Sequence, residues 1–280
     1  MGLRIATNVS SLTAQRHLRE TRQLLDKSLE RLASGYRINR AGDDAAGLAI
    51  SEKLLAKTQG LSQAQRNASD GVSLIQVAEG GLQEVQNILI RLRELGVQGA
   101  SDTIGNKERR YLDEEYQSLK EEMDRISKST EFNGTYLIDG TGGTLDFQVN
   151  TDGLNLLGAD RISFDAFKLD VSASKLGLED VNVRDKFSAQ RSLSTIDKAI
   201  QDVASYRGEV GALENRLSST IRNISVSVEN MTAARSRIKD VDIASETAEL
   251  TKNNILMQAG VSVLAQANHL PQLALQLLEK

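Results

Sequence analysis

Few side chains in this sequence stand at spacings that could do chemistry. Asp43 and Asp44 form an adjacent carboxylate pair, His17 and His269 are the two histidines, and cysteine is absent. Two imidazoles do not supply the four ligands typical of zinc, and helix capping explains the aspartates without a substrate pocket. The glycine-rich stretch 140–143 lacks the lysine and helix of a phosphate-binding loop. The residues therefore predict neither catalysis nor a metal or other cofactor.

The composition favours repeated aliphatic packing. Only ten residues are Phe or Tyr and none is Trp, so aromatic side chains contribute little to most of any core. A net charge of -4 argues against nucleic acid as the main partner. Residues 253–278 carry no charge, yet their many Gln and Asn side chains argue against membrane insertion.

Both ends of the chain show apolar residues at helical spacing. The uncharged C-terminal stretch therefore needs a partner surface, and an antiparallel arrangement would pair its stripe with the basic N-terminal helix. The expected assembly residues are Ile5, Val9, Leu12, Leu25, Leu29 and Leu32 at one end, and Leu256, Val263, Leu270, Leu273 and Leu277 at the other.

Between the ends, long helical seams flank a short region of different character. Apolar residues recur at spacings of three and four over 54–92, 112–126 and 193–231, whereas glycine turns and alternating residues around 131–175 predict a β-hairpin region, with a bulge after Phe164. Breaks are expected at Gly42, with Asp43 or Asp44 as the next N-cap, and before Ser245, another candidate N-cap. The predicted fold is mainly α: a long antiparallel helical coiled-coil rod with paired chain ends.

The motifs along the chain resemble those of bacterial flagellin. "RLASGYRINRAGDDAAGLAIS" and "EFNGTYLIDG" are similar to its N-terminal half, and "ENRLSSTIRNISVSVENMTAARSRIKDVDIASE" is similar to its C-terminal half. The resemblance covers roughly residues 1–140 and 190–278 and leaves the middle undistinguished. About 50 residues separate Gly140 from Arg191, so no large outer domain is expected.

This resemblance implies a structural subunit that polymerises into the extracellular flagellar filament. Residues 1–42 and 241–280 would form a discontinuous terminal coiled-coil domain, the inner tube, and residues 43–240 the outer tube. The implied partners are other copies of the chain, an export chaperone, and the filament cap and hook–filament junction proteins. The resemblance also implies export through the type III apparatus without a cleaved signal peptide, which agrees with the absence of an apolar leader after Met1.

Two alternatives stay open at this level. One is a hook–filament junction-type coiled-coil protein or a minor filament subunit, which would share the helical ends without elongating alone. The other concerns Arg91, Leu95 and Glu115, which match family positions contacted by a vertebrate Toll-like receptor. The competing interpretation is that Arg91 and Glu115 form ion pairs and that Leu95 packs in the core.

Overall fold

The fold is mainly helical, as predicted. The computed structural model describes residues 7–151 and 160–278, with side chains to residue 269. Its helices are α1 (Val9–Ser34), α2 (Ala45–Gly99), α3 (Asn106–Ser129), α4 (Lys186–Lys239) and α5 (Ile243–Leu278). The strands are β1 (Glu131–Phe132), β2 (Thr135–Tyr136), β3 (Thr144–Gln148) and β4 (Arg161–Asp165), followed by a short 3-10 helix, Ala166–Lys168.

The chain divides into two compact units. The terminal unit combines residues 1–56 with residues 230–280, and the central unit comprises residues 57–229. The boundaries between these units lie inside α2 and α4.

Within the terminal unit, the two predicted breaks lie side by side. Tyr36 and Asp240 form an antiparallel bridge, the Arg37 N–H donates to the Lys239 carbonyl at 2.7 Å, and the Val241 N–H donates to the Gly35 carbonyl at 3.0 Å. These backbone hydrogen bonds fix the α1–α2 connection against the α4–α5 connection.

Helix α1 ends earlier than predicted. The prediction placed the stop at Gly42, whereas α1 ends at Ser34 and Gly35 adopts a left-handed conformation with φ 75°. Its N–H donates to the Arg31 carbonyl at 2.9 Å, and glycine is the residue that this C-terminal cap favours. The helical spacing of apolar residues continues to Tyr36, so the sequence pattern did not indicate that α1 ends before it.

The N-caps of α2 and α5 are aspartates. Asp44 Oδ1 accepts from the Gly47 N–H at 2.8 Å and caps α2, in agreement with the prediction. At α5 the prediction of Ser245 is wrong, because Asp242 Oδ1 accepts from the Ala244 and Ser245 N–H groups. Lys27, whose Nζ lies 2.6 Å from Asp43 Oδ1, and the Arg40 N–H lower the pKa of Asp43 to about 2.

The central unit holds a continuous apolar core. Leu92 and Leu95 of α2 pack in one buried cluster with Tyr116 and Met123 of α3 and with Val203 of α4. This confirms that the third helix packs back on the second. The predicted three-and-four spacing thus corresponds to the buried face of each long helix in this unit.

A buried carboxylate ties α3 to the chain before α4. Asp113 Oδ1 accepts from the Val183 N–H at 3.1 Å, and Asp113 Oδ2 accepts from Arg184 Nε at 2.7 Å. Burial opposes ionisation of Asp113, but these bonds and one from Gln117 outweigh it and lower its pKa.

The β region forms two separate antiparallel pairs. In β3–β4, Leu145 stands opposite Phe164 and Phe147 opposite Ile162, so the predicted alternation matches one face of this hairpin. The predicted bulge is wrong: the offset after Phe164 is the 3-10 turn, which leaves Phe167 exposed and returns Leu169 and Val171 to the core.

Candidate assembly surfaces

The ends of the described chain pair as an antiparallel helix pair. Asn8 Nδ2 donates to the Ala267 carbonyl at 2.8 Å, and Ser11 Oγ donates to Asn268 Oδ1 at 2.8 Å. At the opposite end of the pair, Arg31 Nη1 lies 3.4 Å from Glu246 Oε2. The start of α1 therefore lies beside the C-terminal part of α5, as predicted.

Asn8 has two roles in this pair. Its Oδ1 accepts from the Ser11 N–H at 3.1 Å and caps α1, while its Nδ2 reaches α5. Neither Asn8 nor Ser11 belongs to the predicted aliphatic set. An asparagine directly before a helical rhythm was the sequence signal that could have indicated the cap.

The face of α5 that packs inward alternates large apolar residues with small or polar ones. Its buried and half-buried positions recur at alternating spacings of four and three, the period of a coiled coil. These positions are Glu246, Leu250, Asn253, Met257, Gly260, Leu264 and Ala267. A Cβ added at Gly260 would lie 2.9 Å from Leu18 Cδ2, so glycine allows α1 to approach closely there.

The predicted aliphatic stripe lies on a different face of α5. Leu256, Ala259 and Val263 share one face, and the side chains of Leu256 and Val263 are 48% and 54% exposed. The expectation that this stripe pairs with α1 of the same chain is therefore wrong for these residues. Hydrophobic periodicity identified an apolar face but not the face that contacts α1.

Helix α1 divides in the same way. Leu25 is buried and Leu32 half-buried in the pair, whereas Val9, Leu12 and Leu29 are exposed. Ile5 lies outside the described residues, and the side chains of Leu270, Leu273 and Leu277 lie beyond the described side chains. Together, Val9, Leu12, Leu29, Leu256 and Val263 form what we call the exposed apolar set.

Four exposed apolar residues of the terminal helices were absent from the predicted list; one is Ile243 at the start of α5, exposed at 57%. The other three are Leu24 of α1 and Ile255 and Val261 of α5, exposed at 53%, 61% and 56%. Ile255 and Val261 lie within the uncharged stretch, which was the signal that could have included them. Exposed leucine, isoleucine and valine on paired helices indicate a surface that binds another protein.

Arg91, Leu95 and Glu115, which match the receptor-contacting positions of the family, lie in the central unit and differ in their exposure to solvent. Arg91 Nη2 lies 2.8 Å from Glu115 Oε1, and Arg91 Nη1 lies 2.9 Å from Glu94 Oε2. Both Arg91 and Glu115 are exposed, whereas Leu95 is fully buried. A direct contact through the Leu95 side chain is therefore excluded in this conformation, because α2 turns that position into the core.

The described residues thus form a mainly helical protein whose paired terminal helices carry an exposed apolar set. Residues 5–142 match the bacterial flagellin N-terminal helical region, and residues 193–278 match the bacterial flagellin C-terminal helical region. In the described part of the chain, no helix combines the length and apolar character needed to cross a membrane.

Close similarity extends over almost the whole chain. A flagellin of Halalkalibacterium halodurans is 45% identical over 97% of this chain and 98% of its own length. A flagellin of Bacillus subtilis is 42% identical over 99% of this chain and its full length. The chain belongs to the bacterial flagellin family.

Solved structures agree with this fold. A crystal structure of Bacillus cereus flagellin is 32% identical, with a TM-score of 0.51, and covers 61% of this chain and 94% of that one. The structure of a putative flagellar hook-associated protein from Vibrio parahaemolyticus has a TM-score of 0.56 and covers 71% of this chain and all of that one. Its sequence is 15% identical, so this similarity shows the fold alone.

Proposed function

We propose that this chain is a structural subunit of the bacterial flagellar filament and that it polymerises through the exposed apolar set of α1 and α5. The observation that carries the proposal is the exposure of Leu256 and Val263 on a helix already paired with α1. A helix pair with apolar residues outside its own seam has unburied area for further chains.

The driving force would be burial of that area between subunits. Full burial of an exposed leucine or valine side chain contributes roughly 1.5–3 kcal/mol, and side chains exposed at 48% and 54%, such as Leu256 and Val263, would contribute a part of that. The internal seam of the pair alternates Leu250, Met257 and Leu264 with residues such as Asn253 and Gly260, which contribute little apolar area. Neighbouring subunits would therefore supply much of the stabilisation of the terminal helices, and repeated non-closing contacts generate an open helical polymer.

Seeded elongation tests the proposal. Dissociated full-length chain is added to short filament seeds and followed by electron microscopy, beside a variant truncated after Lys252. We expect the full-length chain to extend the seeds and the truncated chain to leave their length unchanged. If the full-length chain fails to extend them, the filament-subunit proposal is wrong.

The family comparison favours a filament subunit over a junction-type protein. Flagellins match almost end to end at 45% and 42% identity, whereas the hook-associated structure is 15% identical. The structural character of the family also fits a chain without enzymatic activity.

The remaining partners follow from this function as proposals. A subunit with an exposed apolar α5 would aggregate before assembly, so an export chaperone would cover that surface. The filament cap and the hook–filament junction proteins would contact the ends of the polymer. Export would proceed through the type III apparatus to the extracellular filament.

Recognition by a Toll-like receptor would involve the charged side chains of Arg91 and Glu115 rather than the side chain of Leu95. Arg91 and Glu115 are exposed, and their ion pair presents both signs on one surface. Arg91→Ala is expected to reduce Toll-like receptor signalling by the monomer while filaments still form. Arg125→Ala, which removes another exposed ion pair with Glu122, is the matched control; equal signalling by both variants and the parent would exclude this recognition site.

A further inference from the structure

The connection between β1 and β2 has an unusual backbone conformation. Asn133 has a φ of 50°, and among the described residues no other non-glycine residue has a positive φ. Gly134, which follows it, has a φ of 77°. Phe132 pairs with Thr135 on either side, which makes this a two-residue hairpin turn. Positive φ at both central residues is the property of a type I′ turn, for which Asn-Gly is strongly preferred.

Asn-Gly is also the dipeptide in which the backbone can attack the side chain most easily. Asn133–Gly134 is the single Asn-Gly in the sequence. Both residues are exposed, and no atom outside Asn133–Thr135 lies within 4 Å of the position that a Gly134 Cβ would occupy. Because glycine has no Cβ, nothing at this position shields its backbone nitrogen.

Several other asparagines are held by side-chain hydrogen bonds. Asn8 Nδ2 donates to the Ala267 carbonyl, Asn67 Nδ2 to the Gln148 carbonyl and Asn150 Nδ2 to Asp160 Oδ1. The Asn133 side chain makes no hydrogen bond with any described residue. Its amide is thus exposed, unpaired and next to an unhindered nitrogen.

We propose that Asn133–Gly134 is a site of spontaneous deamidation in the folded protein. The Gly134 backbone nitrogen loses its proton to water and attacks Asn133 Cγ, forming a five-membered succinimide while the side-chain nitrogen leaves as ammonia. Water then adds to one of the two imide carbonyls. Opening at one carbonyl gives aspartate, and opening at the other gives isoaspartate; no oxidant or other co-reactant is required.

The two products differ in their effect on the hairpin. Aspartate tolerates the left-handed conformation that Asn133 adopts. Isoaspartate lengthens the main chain within a turn whose ends are fixed by the Phe132–Thr135 pair and by the hydrogen bond from the Leu137 N–H to the Thr130 carbonyl at 3.1 Å. Isoaspartate would therefore loosen β1–β2 pairing next to the fully buried Leu137 and Ile138.

The site can be tested on the full-length monomer, independently of polymerisation. The folded protein is incubated at mildly alkaline pH, and peptide fragmentation in a mass spectrometer locates each mass increase of about 1 Da. Asp139 precedes Gly140 and could isomerise by a similar route. Isomerisation leaves the mass unchanged, so the mass increase distinguishes deamidation from it. We expect conversion at Asn133 about tenfold faster than at any other asparagine, because only this one precedes glycine.

The matched control is Gly134→Asn. Asparagine also accepts positive φ, so the turn is retained, but its Cβ shields the attacking nitrogen. Conversion at Asn133 should fall about tenfold in this variant, and circular dichroism should show an unchanged fold. The proposal is overturned if folded parent protein converts Asn133 no faster than its other asparagines, if conversion appears only after unfolding in urea, or if Gly134→Asn converts at the parent rate.

Discussion

The terminal and central units use the same helical periodicity for different purposes. In the central unit, the apolar positions of α2 and α4 form a core, with Leu82, Leu89, Val203 and Leu217 fully buried. In the terminal unit, residues at similar spacings remain in contact with water, including Leu12, Leu256 and Val263. Periodicity therefore shows which face of a helix is apolar, whereas the tertiary and quaternary partners decide where that face is buried.

The polar residues reinforce this contrast. The pair of α1 and α5 is joined by Asn8, Ser11 and Asn268, and the Nδ2 atom of buried Asn253 has no hydrogen-bond partner. An unsatisfied buried amide costs free energy, so the isolated terminal pair is less stable than its helix length suggests. The central unit has its own core and depends less on neighbours.

Truncating a core leucine of the central unit should produce the largest effect on the monomer. Leu89→Ala removes a fully buried side chain and should lower the free energy of unfolding by about 2–5 kcal/mol. Leu256→Ala, at an exposed position, should change it by about 0.5 kcal/mol or less. Urea unfolding followed by circular dichroism measures both, and equal losses would remove the contrast between the two units.

Asp113 supplies a second, pH-dependent test of the central unit. Asp113→Asn weakens the buried contacts to Val183 and Arg184 and should cost about 1–3 kcal/mol at neutral pH. Because the folded-state pKa of Asp113 is lowered, its contribution is fully present above the ordinary aspartate pKa of about 4 and is lost as pH falls through the lowered value.

The parent and Asp113→Asn should therefore converge in stability in acid. Urea unfolding of both proteins is measured at neutral pH and at several values below about pH 4. A difference that stays constant across this range would show that the Asp113 carboxylate does not carry the pH dependence assigned to it.

Gly260→Ala tests the close packing of the terminal helices. The added Cβ would lie 2.9 Å from Leu18 Cδ2, and we expect a net loss of about 1 kcal/mol after the gain in helix propensity is included. Gly211→Ala is the matched control in α4, because no atom lies within 4 Å of the added Cβ. That variant should be stabilised by about 0.5–1 kcal/mol; stabilisation of both in thermal melts would contradict the packing.

Arg91→Ala should give the smallest change in monomer stability. Its ion pairs with Glu94 and Glu115 are exposed, and water and salt screen such pairs. The thermal unfolding midpoint should not shift measurably. A clear decrease would show that this charged group stabilises the central unit rather than serving only as an accessible surface.

Much of the fold could be predicted because the long helices repeat simple patterns. The seam through Leu82, Leu89 and Leu92 indicated α2, and the Leu145–Phe147 alternation indicated a strand. The end of α1 at Ser34, with Gly35 as its cap, was not predicted, since Tyr36 continues the apolar spacing. Backbone pairing between the two breaks was not predictable from local propensity.

The candidate site was only half predictable for a related reason. Leu256 and Val263 were selected because they are apolar, but the residues that hold α5 to α1 include Gly260 and Asn253. A hydrophobic pattern gives such residues little weight. Their position in the seam depends on how closely two backbones approach, which is a tertiary property.

The most direct measurement is seeded elongation by the double variant Leu256→Ser/Val263→Ser, with Val226→Ser as control. Val226 of α4 is 56% exposed, close to the 54% of Val263, and lies outside the terminal unit. We expect the double variant to keep the monomer's helical content and fail to extend seeds, while the control extends them at the parent rate. Normal elongation by the double variant would contradict the assignment of this apolar face to subunit assembly.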